Sequence, residues 1–283
     1  MNAETNARNH WFAPGWWPLA LAVAAGSVSA TYVPVALLTL LVTVGSTLAA
    51  PEALACISGD NKMVSSFVAV PESLSERLFE FEVALVQAKQ IVQVFARENG
   101  LPPGTRLEGA RLEVYPSQEK LWRCMNRTPD WSEPPPLPRK TFVAANGNPL
   151  RAVTPEEFAR VIPEYAALRR DAWVRLIAHE LAHNWHAEVA SRKMGPHWFF
   201  EGLAVVIANQ GFGEDLHPKS ADDALQPIDW SGRYAYAQAA ASVRFFLKRA
   251  PVKTLIERAQ MPDFETWLRK LPAKPPKTPS GRL

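Results

Sequence analysis

The sequence predicts an α+β fold, mainly helical, with a small β-sheet ahead of the helical half. Three observations carry that expectation. Apolar residues recur at three- and four-residue steps between Pro71 and Asn99, two short stretches near residues 111 and 140 read as strands, and longer helical patterns run from Thr154 to Arg249. The chain has 283 residues, of which 47% are apolar and 21% charged. That length gives one or two domains with material for a core, and the composition excludes disorder throughout.

The first 55 residues stand apart. No Asp, Glu, Lys or Arg occurs between Arg8 and Glu52, and the apolar runs Trp16–Val28 and Val33–Leu48 fall in that gap. Each run is shorter than the ~20 residues of a spanning helix, but together, kinked at Pro34, they suffice to cross a bilayer. The same block reads as a secretory signal, with Val35–Val42 as its apolar centre and Ala53-Leu54-Ala55 as an A-x-A cleavage site. Residues 1–55 are therefore expected to be a signal peptide or membrane anchor. The remainder is expected to be exported, periplasmic or extracellular, and membrane-tethered if the segment is not cleaved. A buried hairpin of a soluble fold is the alternative. Cys56 and Cys124 can form one bridge in an oxidising compartment, or remain free thiols; Cys56 directly after the cleavage site also allows a lipidated N-terminus.

From residue 56 to 271 the composition is that of one soluble domain. Leu74, Leu78, Phe81, Leu85, Ala88, Val92 and Phe95 lie on one face of a helix that Gly100 and Pro102-Pro103 stop. Arg111–Tyr115 alternates as a strand, and Lys140–Ala145 is a second candidate after a proline-rich loop from Pro129 to Pro138. Thr154-Pro155-Glu156-Glu157 supplies an N-cap, a proline at the first helical position and a capping-box glutamate. Pro163 ends or kinks that helix. The next runs from about Tyr165 to Lys193, stopped by Gly195 and Pro196, and further helices are read at Trp198–Asn209 and Tyr234–Arg249. Residues 272–283, with four prolines, read as a disordered tail.

The chemistry lies inside the long helix, at His179-Glu180-Leu181-Ala182-His183. Residues four apart on a helix share a face with Cβ atoms about 5–6 Å apart, so both imidazoles reach one zinc ion at about 2.0–2.1 Å. Glu180 projects from an adjacent face, where it serves as general base on a metal-bound water. A third ligand is needed, and His186 and Glu201 are the candidates. His186 lies two turns, roughly 10 Å, along the axis from His179 and cannot close one tetrahedron with both histidines. Glu201 lies in Trp198-Phe199-Phe200-Glu201-Gly202-Leu203-Ala204, the start of the next helix. Extended residues 194–197 span up to about 13 Å, enough to bring it back beside the histidines.

H-E-L-A-H at 179–183 followed by W-F-F-E-G-L-A at 198–204 resembles the gluzincin zinc peptidases, specifically the peptidase MA-like group. The likeness covers about residues 107–249 and is specific in motif from Ile177 to Ala208. It implies a zincin-like domain with one zinc on His179, His183 and Glu201, Glu180 as catalytic base, and a peptide or protein substrate. Val205 departs from thermolysin-like relatives, which carry an aspartate at that place to support a ligand histidine; another group must then orient the imidazole. Tyr234-Ala235-Tyr236-Ala237-Gln238 is similar to a Y-A-Q stretch of the same group. A hydroxyl there can donate to an oxyanion. Residues two apart point about 200° apart, so at most one tyrosine faces the metal. The Y-A-Q match selects Tyr236.

Charge narrows the classes further. Lys and Arg number 31 against 28 Asp and Glu, leaving +3, with no basic run longer than two. A nucleic-acid partner is not expected. The rival from another class is a non-catalytic exported or membrane-tethered binding or assembly protein with a structural metal site. Such a site has no use for Glu180.

Overall fold

Five short strands form one sheet: β1 (Lys62–Val64), β2 (Val68–Pro71), β3 (Leu112–Tyr115), β4 (Val143–Ala144) and β5 (Leu150–Val153), in the order β1-β2-β3-β5-β4. The computed structural model describes residues 62–125, 143–144, 148–162, 169–191, 193–211, 216–230 and 234–272. The three central strands run parallel, with Glu113 opposite Arg151, and each edge strand is antiparallel to its neighbour. Strand β3 is buried at all four positions and β2 at its first three. Continuous burial of that kind marks parallel strands with both faces covered. Glu113 tolerates it because its carboxylate accepts from Arg151 at 3.0 Å and from the Tyr115 hydroxyl at 2.8 Å.

The helices are α1 (Leu78–Glu98), α2 (Thr105–Glu108), α3 (Gln118–Met125), α4 (Pro155–Val161), α5 (Arg169–Val189), α6 (His197–Ile207), α7 (Ala221–Ala224), α8 (Ala235–Leu247), α9 (Val252–Ala259) and α10 (Phe264–Arg269). A mainly helical chain with a small sheet is thus an α+β fold. Helix α5 is its axis. Trp173 and Trp185 near its ends are buried, pack against Phe81 and Phe95 of α1, and donate their indole N–H groups to Val153 O (2.7 Å) and Pro102 O (2.9 Å). Each large apolar side chain so removed from water contributes about 1.5–3 kcal/mol or more.

Several sequence expectations need correction. The turn from Glu72 to Arg77 is a 3-10 helix, and α-helix begins only at Leu78. Thr154 caps α4 as expected, accepting from Glu157 N at 3.3 Å, but the reciprocal half of the capping box is missing. The Thr154 N–H is already taken by Tyr115 O at 2.9 Å in the sheet, so the Glu157 carboxylate turns to Gln118 N and Arg160. Helix α5 stops at Val189, not Lys193, where Ser191 takes a left-handed backbone with φ 49°. The apolar segment 1–55, Cys56, the loop 129–138, the start of the 140–145 strand and residues 273–283 lie outside the described residues. Cys124 is disulfide-bonded. No helix among the described residues is long and apolar enough to cross a membrane.

Candidate metal centre

One face of α5 carries Trp173, Ile177, Leu181 and Trp185 into the core, each nearly inaccessible, and another carries His179 and His183 toward α6. The four-residue spacing sets the two rings edge to face, 4.6 Å apart, with their Nε2 atoms 3.0 Å from each other. After Val189 the chain turns back through Ser191 and Gly195, whose φ of +84° side chains with a β-carbon rarely adopt. Helix α6 then starts at His197 after Pro196. Its second turn delivers Glu201 Oε2 to 3.2 Å from His179 Nε2 and 3.4 Å from His183 Nε2. Three donor atoms thus converge on one point, and the buried group His179, His183 and Glu201 could hold a metal ion.

The donors His179 and Glu201 shift each other's ionisation. Burial disfavours the charged form of His179, but the hydrogen bond and charge of Glu201, with help from Glu180, outweigh it and raise its pKa. Burial also opposes ionisation of Glu201, yet His183 and His179 hold its carboxyl well below the ordinary range. Glu180 is 3% exposed; burial raises its pKa against the opposing pull of His179 and His183, and its Oε1 has no partner among the described residues. A bound dication would reinforce that pull.

Other side chains frame the group. Gln210 Oε1 stands 2.9 Å from His179 Nδ1, so the imidazole partner lies nine positions beyond Glu201. Val205 is instead fully buried against Tyr236 and Ala240. Phe200 stacks on the His183 ring at 3.9 Å and 24°. His197 Nε2 is 3.4 Å from Glu201 Oε1, and its ring lies 4.1 Å from Trp230, which meets Tyr236 edge on at 5.7 Å. Tyr236 is 7% exposed with its ring 6.2 Å from that of His179, whereas Tyr234 is 43% exposed. Burial, with the charges of Glu201 and Glu180, pushes the Tyr236 phenol up, so it stays protonated.

His179, Glu180, His183, Glu201 and Tyr236, the five residues singled out from sequence, are brought together here. His186 is not among them: it is 1% exposed against Phe199 and Phe200, and burial pushes its imidazole down to about 3. Trp185, two residues beyond His183, belongs to the core. Gln210, Phe200 and Trp230 were missed; only nearness in space to the histidines marks them, and no spacing rule reaches across a helix end. No family model, curated protein or solved structure matches the chain.

Proposed function

We propose that the chain is a zinc-dependent peptidase of the gluzincin type, with His179, His183 and Glu201 as ligands and Glu180 as general base. The observation that carries this reading is the spacing of the three donor atoms, 3.0, 3.2 and 3.4 Å. Corners of a tetrahedron with zinc bonds of about 2.0–2.1 Å stand about 3.3–3.4 Å apart, so the donor set fits that ion. Three protein ligands are the pattern of a catalytic zinc, while a structural one closes with four.

When bound, zinc supplies a Lewis acid and a water of lowered pKa. Glu180 would take a proton from the attacking water and return it to the leaving amine; its burial suits a group that must hold a proton in mid-reaction. Tyr236 donates a hydrogen bond to the scissile carbonyl oxygen as negative charge gathers there. A mixed sheet ahead of the two ligand-bearing helices accords with the zincin-like fold. Export belongs to the same reading, and the disulfide at Cys124 is in keeping with an oxidising compartment.

The test is elemental analysis of the full chain together with hydrolysis of a quenched fluorescent peptide library. Wild type should carry one zinc and cleave; Glu201→Ala should lose the metal; Glu180→Gln should keep it and cleave nothing. A folded wild type without zinc sinks the reading. Zinc without any peptide cleavage turns it to the binding or assembly protein with a structural metal.

A further inference from the structure

We infer that Gln210 is the positioning residue that holds His179 in the metal-binding tautomer, and that α5 itself fixes its aim by clamping the turn that bears it. The inference rests on the metal reading above.

An amide oxygen has no hydrogen to give. In the 2.9 Å contact between Gln210 Oε1 and His179 Nδ1, the ring nitrogen must therefore donate. A neutral His179 then bears its lone pair on Nε2, the atom directed at Glu201 Oε2 and His183 Nε2. His179 is 3% exposed, which leaves bulk water little access to replace this partner.

The backbone explains why Gln210 points there. Helix α6 ends with Ala208 as its C-cap, and Asn209 follows in the left-handed region at φ 49°. The Asn209 N–H donates to Val206 O and the Gln210 N–H to Val205 O, both at 3.1 Å, the two bonds of a Schellman turn. Arg175, one turn before His179 on the same face of α5, donates through Nη1 to Ala208 O (3.2 Å) and Asn209 O (2.8 Å). Its Nε is held by Asp171 at 2.8 Å. Helix α5 thus grips the turn at Arg175 and receives its product at His179. His183 has no such arrangement: its Nδ1 finds no partner among the described residues, and its ring is placed by Phe200.

The experiment measures the zinc dissociation constant of the full chain by competition with a chromophoric chelator, with thermal unfolding in excess chelator as the check on folding. Gln210→Leu should weaken binding about 10–100-fold, the usual consequence of removing the partner of a ligand histidine. Gln210→Glu, which keeps an acceptor at the same reach, should restore it to wild-type strength or better. Gln210→Asn, equally polar but one methylene short, should behave as Gln210→Leu, which keeps the test valid if the apolar variant does not fold. Wild-type zinc binding with no weakening in Gln210→Asn or a folded Gln210→Leu, or a loss that Gln210→Glu does not repair, overturns the inference alone. A wild type that binds no zinc overturns it together with the metal reading.

Discussion

Gly202 leaves no room for a β-carbon between α6 and the main chain of Ala239 on α8. A β-carbon built there would meet the Ala239 carbonyl oxygen, its carbon at 2.7 Å and Val243 Cγ2 at 2.9 Å. Because Gly202 adjoins Glu201 and Ala239 lies one turn beyond Tyr236, this approach also sets the two sides of the candidate metal centre against each other.

Gly202→Ala should therefore destabilise the fold by about 1–3 kcal/mol, since backbone cannot move aside as a flexible side chain does. Gly211→Ala, where a β-carbon meets nothing within 4 Å, should change stability by less than about 0.5 kcal/mol. Urea midpoints of the two variants decide it; equal midpoints would show that α6 and α8 can separate freely.

Removing metal should lower the melting temperature. At free zinc about 100-fold above its dissociation constant, binding to the native state alone adds about 2.7 kcal/mol. Scans with zinc and with chelator should differ for wild type and coincide for Glu201→Ala.

Tyr236→Phe should keep zinc and fold while kcat falls about 100-fold with KM little changed, as when one donor to a developing oxyanion is lost. Tyr234→Phe, altering a residue 43% exposed, should leave kcat within about twofold. Equal rates for both variants would remove Tyr236 from the reaction.

Glu157 should make stability acid-sensitive. The bonds from Arg160, against burial and aided by Gln118 N–H, hold its carboxyl below the usual range. With the folded value depressed, its contribution is complete above about pH 5 and is lost as pH falls through the folded pKa. Glu157→Gln should cost about 1 kcal/mol at pH 7, and the gap to wild type should narrow below about pH 4. A gap independent of pH in urea titrations would contradict this.

Which parts were legible in the sequence follows from the range of each signal. The long helix, its H-E-L-A-H face and the Thr154 cap are written in spacings of three and four residues, and the structure has them, with the helix ending at Val189 and only the threonine half of the capping box formed. The helices Val252–Ala259 and Phe264–Arg269 were not read, being too short for a periodicity to stand out. Strand β2 was missed because burial on both faces leaves a short apolar run without alternation. In the centre, Glu201 was within reach of a chain-length argument. Gln210 was not, because its place depends on a helix end whose left-handed residue is Asn209 rather than the glycine that usually announces one.

The indole anchors at Trp173 and Trp185 pin α5 to the sheet on one side of the histidines and to the Pro102 loop on the other. To expose the main chain between them, both hydrogen bonds and the packing on α1 must break together, which amounts to unfolding the domain. Amide hydrogens of residues 177–183 should therefore exchange with deuterium only at the global rate, while those at the start of α6 exchange through smaller openings. The two sides of the candidate metal centre should therefore differ in protection: the histidine side is expected to open only with the fold, and the Glu201 side through the smaller openings at the start of α6.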